Sequence, residues 1–130
     1  MAHAISSALL ERLLNEARDA PEQEVCGLLF GANGRIEAAE ACANVAADPA
    51  RVFEIDPAAL FAAHRRARAG GAAVLGHYHS HPSGSAAPSA CDAAQAMGDG
   101  ALWLIVAGGA ARLWRTTATG RFAAEELEVQ

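Results

Sequence analysis

The chain has 130 residues, 52% of them hydrophobic, with 10 basic side chains against 15 acidic ones for a net charge of -5. That length suits one domain (residues 1–130) built on one core and excludes two substantial ones, and the acidic balance disfavours a long footprint on a phosphate backbone, so nucleic acid is not an expected partner. The longest apolar run, Ala101 to Ala107, falls well short of the ~20 residues that cross a bilayer.

The start of the chain lacks a basic leader, and Glu11 and Arg12 interrupt its apolar run, so export is not expected. Ile5, Leu9, Leu10, Leu13, Leu14 and Ala17 recur at helical spacing after Ser6 and Ser7, either of which can cap, and Pro21 closes this first helix. His3 ahead of it reads as terminal and mobile. Val25 to Phe30 is a short apolar strand, and Asn33-Gly34 is a hairpin turn into a second strand, Arg35 to Cys42. Asn44 to Ala50 is a small-residue loop, and Arg51 to Ile55 reads as another strand. Asp56-Pro57 then opens a second helix that runs to about Arg68, with His64 on a solvated face.

Gly70-Gly71 ends that helix, and Ala72 to Tyr78 is a strand that delivers histidines at its carboxyl end. Ser89 caps a third helix, with Cys91 as a small buried residue on it. Leu102 to Val106, Arg112 to Thr116 and Arg121 to about Val129 complete the chain as strands. Hairpins mixed with strand-helix-strand crossovers predict an α/β fold, a mixed β-sheet flanked by helices. Three scattered cysteines, Cys26, Cys42 and Cys91, with no CxxC pair, agree with reduced thiols in a cytoplasm. Cys26 and Cys42 read as core. A strand-rich edge and a small core are compatible with a homodimer.

The chemistry concentrates in Gly76-His77-Tyr78-His79-Ser80-His81-Pro82 and the segment that follows it to Asp92. Residues i and i+2 of an extended chain point to one side, so His79 and His81 can present two nitrogens to one ion while Asp92, on the first turn of a helix, supplies an oxygen. Two imidazoles and one carboxylate leave a divalent zinc its fourth tetrahedral position, as catalytic sites do. The alternative is a polar loop with two solvated imidazoles and a capping carboxylate. His77 shares the same strand face, so period alone does not say which two of the three histidines bind. Hydrolysis also needs a base, and Glu24, just before the apolar strand, is the candidate; composition alone favours reading it with Asp19 and Glu22 as a solvated acidic turn. Ser89 is a helix cap or a hydroxyl that also steadies an oxyanion.

Glu24 opening an apolar strand with Gly27, Leu29 and Gly31, then His79-Ser80-His81-Pro82, then Pro88-Ser89 and Asp92, resembles the JAMM or MPN-plus metalloprotease family over most of the chain. The resemblance implies a zinc hydrolase in which His79, His81 and Asp92 bind Zn2+, Glu24 is the general acid/base and Ser89 steadies the intermediate. It also implies a fold similar to the cytidine deaminase architecture. Segments that larger relatives enlarge to grip ubiquitin chains are short here. The chain is similar to the small stand-alone bacterial type, which implies cleavage after the terminal Gly-Gly of a ubiquitin-like or sulfur-carrier protein. His77 stands where many relatives have an aromatic residue.

Three other readings compete. A metal-free scaffold of the same family usually has a broken ligand set, whereas every ligand type is present here. A zinc deaminase needs H-x-E followed by P-C-x-x-C, and the cysteines do not provide it. A RadC-like protein shares His-Ser-His-Pro-Ser-Gly, but net acidity and the Glu24 strand argue against it.

Overall fold

The computed structural model describes residues 2–32 and 34–130. In chain order the elements are β1 (Ala2–Ile5), α1 (Ser7–Asp19), β2 (Cys26–Ala32), β3 (Arg35–Cys42), α2 (Pro57–Arg68), β4 (Ala73–Ser80), α3 (Ala90–Gln95), β5 (Leu102–Ala107), β6 (Ala110–Ala118) and β7 (Arg121–Val129). The strands form one mixed sheet in the order β1-β3-β2-β4-β5-β6-β7, closed into a barrel. β2 pairs antiparallel with β3 and β4, β4 runs parallel to β5, and β5, β6 and β7 form an antiparallel meander. Closure comes from β1, which runs parallel to β3 on one side and to β7 on the other.

Each helix follows from local chemistry. Ser6 Oγ accepts from Leu9 N at 3.1 Å and starts α1, whose apolar stripe Leu9, Leu10, Leu13, Leu14 and Ala17 packs on the main core with Ile5, Leu29, Tyr78, Leu104 and Val106. Asp56 Oδ1 accepts from Ala58 N at 3.0 Å and Pro57 occupies the first turn of α2, which seats Ala63 against Leu28 and Phe30. Every residue of β5 is buried, because Leu102, Leu104 and Val106 face the α1 core while Trp103 faces Phe53 and Cys26. A strand covered on both faces reads as a continuous apolar run for this reason.

Two glycines permit close approach. A Cβ at Gly27 would collide with the Glu40 carbonyl and the Tyr78 ring, and one at Gly76 with the Leu102 backbone. Tyr78, fully buried, donates its hydroxyl to Glu16 Oε1 at 2.7 Å and so ties β4 to α1.

The structure corrects several expectations. Residues 2–5 are a strand, and His3 is buried in it at 5% exposure rather than mobile. Residues 51–55 are not a strand; only Ile55 forms a bridge, to Asn44. Backbone groups there bond instead to the Asn44 side chain and to the Asp48 turn. β4 runs on to Ser80, so His77 and His79 lie within the strand. Cys91 is exposed, Cys26 is buried and Cys42 is half-buried. Of the expected turn, Asn33 lies outside the described residues, while β2 and β3 pair antiparallel as that turn requires.

Candidate metal centre

Four side chains from two elements and the segments that flank β4 and β2 converge at the carboxyl end of β4. His79 comes from β4, and His81 follows it, its backbone N–H donating to Val106 O on β5 at 3.0 Å. Asp92 comes from the first turn of α3, and Glu24 from the segment that enters β2. One ligand atom from each lies within 4.8 Å of all the others, and all four residues are buried.

The register of the sheet makes this meeting possible. Cys26 pairs with His79 across β2 and β4, and Ser80, between the two histidines, extends the clasp. Its N–H donates to Val25 O at 3.0 Å and its Oγ accepts from Val25 N at 2.9 Å. Glu24 is thereby placed beside the histidines. Its own backbone is held twice more: its N–H donates to Pro49 O at 2.7 Å, and its carbonyl accepts from Asn44 Nδ2 at 2.9 Å.

Asp92 and Ser89 form a capping box. Asp92 N donates to Ser89 Oγ at 3.0 Å and Ser89 N donates to Asp92 Oδ2 at 2.9 Å. The cap and the hydroxyl reading of Ser89 are compatible, because a hydroxyl that accepts keeps its own proton to give.

The donor atoms themselves indicate a cation. His79 Nε2 and His81 Nε2 are 3.1 Å apart, His79 Nε2 is 3.2 Å from Asp92 Oδ2, and His81 Nε2 is 3.0 Å from the same oxygen. Ligands about 2.0–2.1 Å from a tetrahedral ion stand about 3.3 Å from one another, so the triangle has nearly the right edge. The tautomer of His81 adds a chemical argument. Its Nδ1 lies 2.7 Å from the Ser85 carbonyl, an atom that only accepts, so Nδ1 carries the proton and neutral His81 presents a bare lone pair at Nε2. That lone pair converges with His79 Nε2 on the Asp92 carboxylate; without a metal, a proton on either ring nitrogen bridges to Asp92, and a divalent cation can take that proton's place. The residues present fit a divalent metal with two nitrogen ligands and one oxygen ligand.

Electrostatics agree with that division. Burial works against the Asp92 carboxylate, but hydrogen bonds from His79 and His81 outweigh it and hold its pKa far below the usual range. Burial lowers His79, with Asp92 opposing only in part. Burial also acts to lower His81, yet Asp92, the Ser85 carbonyl and the Glu24 charge together raise it. Glu24 is different. Burial pushes its pKa up to about 7, with His81 opposing and Asp92 adding, and its Oε1 is buried without a hydrogen-bond partner among the described residues. A carboxyl poised near neutrality and aimed at the ligand cluster suits general acid/base work.

His77 does not join the cluster. It packs between Phe53 and Trp103, with ring centroids at 5.0 and 4.3 Å, and burial lowers its pKa to about 3, His79 adding to the effect. Its neighbour Phe53 also stacks on His79 at 4.2 Å with an interplanar angle of 21°. Cavities open on both sides of the centre, one of about 370 Å³ lined by Glu24, Cys26, Cys42 and Asn44, the other of about 260 Å³ lined by His81, Pro82, Gly108 and Gly109.

Asn44, Phe53 and Ser80 are the residues that sequence reasoning missed. Asn44 was visible as the one amide side chain in a loop otherwise of small residues and an aspartate. Nothing in the spacing of Phe53 or Ser80 signalled a role beside the histidines.

Comparison with known proteins supplies the remaining facts. Residues 6–117 match the family model of prokaryotic homologs of the JAB domain. A desampylase of Haloferax volcanii is 35% identical over 101 residues, which cover 73% of this chain and 73% of that protein. A Desulfitobacterium hafniense protein whose structure was determined in solution superposes with a TM-score of 0.83 at 27% identity, covering 98% of this chain and 92% of the other. A structure described as a JAMM metalloprotease-like zinc site shares the fold, with a TM-score of 0.61 at 22% identity and coverage of 100% and 99%.

Proposed function

Because the chain belongs to the prokaryotic JAB-domain family, we propose that it is a zinc-dependent isopeptidase that releases a ubiquitin-like or sulfur-carrier protein by hydrolysing the amide bond after its C-terminal Gly-Gly. The observation that carries this reading is the triangle of His79 Nε2, His81 Nε2 and Asp92 Oδ2 with 3.0–3.2 Å sides, beside the buried carboxyl of Glu24. The likeness to a desampylase supports an isopeptidase, and the JAMM structure supports zinc as the metal.

His79, His81 and Asp92 hold the zinc, which when bound supplies a Lewis acid that polarises a carbonyl and makes water more acidic. The chain's own residues do the rest. Glu24 takes the proton of the attacking water on its carboxylate and returns it to the nitrogen of the leaving amine, so one group serves as base and then as acid. Its burial, which without a metal raises the carboxyl toward neutrality, favours return of the proton to the amine. The Ser89 hydroxyl, fixed by the capping box, donates to the oxygen that gains charge as the carbonyl is attacked. Asp92, kept ionised by its histidine partners, keeps a negative charge on the ligand set.

The test is to incubate the zinc-loaded protein with a ubiquitin-like carrier extended by an amide bond beyond Gly-Gly, with and without chelator, and to weigh the products. Cleavage after the second glycine that stops on chelation is the expected result. An intact conjugate with metal-replete protein would overturn the reading.

A further inference from the structure

The two histidines of the centre are oriented by different means. His81 has the arrangement usual for a metal-binding imidazole, its far nitrogen donating to a fixed acceptor, here the Ser85 carbonyl at 2.7 Å. His79 lacks it. Its Nδ1 is buried with no hydrogen-bond partner among the described residues, although the residue is fully buried. What touches the ring instead is Phe53, stacked on it at 4.2 Å and 21°, while Trp103 stands edge-on at 5.7 Å and 82°.

Phe53 is itself held in place. The residues on either side of it are bound by one side chain: Asn44 Nδ2 donates to Val52 O at 3.1 Å, and Asn44 Oδ1 accepts from Glu54 N at 3.0 Å. The Glu54 carbonyl in turn accepts from Val45 N at 2.9 Å. Phe53, 4% exposed, is therefore carried on a loop whose backbone is fixed immediately before and after it.

We propose that Phe53 is a positioning residue for His79, its stacked ring taking the part that the Ser85 carbonyl plays for His81, and that Asn44 sets Phe53 in that place. The inference rests on the metal-site reading above. Stacking confines the plane of the imidazole, so Nε2 stays directed at Asp92 and His81 without a hydrogen bond at Nδ1. The loop between β3 and α2 thus belongs to the centre although it contributes no ligand.

The test is a zinc titration of purified protein by competition with a chromophoric chelator, together with the visible absorption of the cobalt(II) form. The metal-free fold of each variant is checked by near-ultraviolet circular dichroism. Phe53→Leu and Phe53→Met, which keep an apolar side chain but no ring, are expected to fold and to weaken zinc binding about tenfold or more, the range seen when the support of a ligand is removed. Both should shift the cobalt spectrum. Phe53→Tyr keeps the ring and is expected to bind within about twofold of the parent, and an unchanged metal-free fold in the ringless variants separates lost support of His79 from lost packing volume. Ringless variants that bind as the parent does would overturn the inference, as would a Tyr variant that loses as much as the Leu variant. Failure of both ringless variants to fold would mark Phe53 as core packing alone and would overturn it too. Parent protein that takes up no zinc would refute the metal reading itself, which separates that failure from this one.

Discussion

Asn44 Nδ2 and the main-chain carbonyl of Glu24 are 2.9 Å apart, joining the loop after β3 to the residue proposed as the base. The same side chain makes three further hydrogen bonds, to Val52 O, Ala46 N and Glu54 N. At about 1 kcal/mol for each of the four bonds lost, Asn44→Ala is expected to lower stability by up to about 4 kcal/mol. Asn44→Asp, which keeps the two accepted bonds and loses the two donated ones, should fall between. Urea denaturation of the metal-free proteins measures both; an unchanged midpoint for Asn44→Ala would show that the loop is held by other means.

Glu24→Gln is expected to retain zinc and to lose about 10²- to 10⁴-fold in turnover, the usual worth of a positioned acid/base. His81→Ala should lose both metal and activity. Metal content and initial rates on a diglycine-extended carrier separate the two outcomes, and undiminished turnover in Glu24→Gln would remove Glu24 from the chemistry.

Ser89 carries two tasks that substitution can separate. Ser89→Ala removes the cap, worth about 1 kcal/mol, and the hydroxyl together. Ser89→Asn keeps a side-chain acceptor for the Asp92 N–H but not the hydroxyl, so it should preserve the thermal midpoint while lowering kcat. If Ser89→Asn turns over like the parent, the hydroxyl is a cap and nothing more.

Gly27→Ala places a methyl group against the Glu40 carbonyl and the Tyr78 ring. Neither a backbone carbonyl in a sheet nor a buried ring bonded to Glu16 moves readily, so the cost should lie at the upper end of the ~1–3 kcal/mol typical of overpacking. A stability within error of the parent would mean that β2 and β4 part more easily than their register implies.

His3 gives stability a pH dependence. Its pKa is lowered in the folded state, chiefly by burial and then by Arg115, with Glu125 opposing, so the unfolded chain takes up the proton first as pH falls. The stability held by neutral His3 is present above the unfolded value near 6.5 and is lost progressively below it. Between about pH 7.5 and about pH 5 the parent should lose more stability than His3→Gln. Parallel curves for the two proteins would show that His3 does not contribute.

The helices were legible because their signals are local. Ser6, Asp56 and Ser89 each cap the helix that their position announces, and the histidine spacing placed two nitrogens on one strand face. The candidate site residues His79, His81, Asp92 and Glu24 could be named from residue type and order, and the structure brings all four together. What failed depends on partners distant in the chain. β1 has only four residues and exists because β3 and β7 flank it, so its own sequence carries little strand signal. Residues 51–55 alternate like a strand, but the Asn44 amide takes the bonds that a neighbouring strand would have taken. The difference between His77 and His79 lies in where α3 delivers Asp92, which period-2 spacing does not encode.

The pairing of residues 2–5 with residues 126–129 sets an order of events as the polypeptide is made. Glu24, His79, His81 and Asp92 all precede β7 in the chain, so β1 gains the second of its two partners only after every candidate ligand has been made. A chain ending ahead of Arg121 would leave β1 and β6 each without the neighbour that β7 supplies, with all four candidate site residues present.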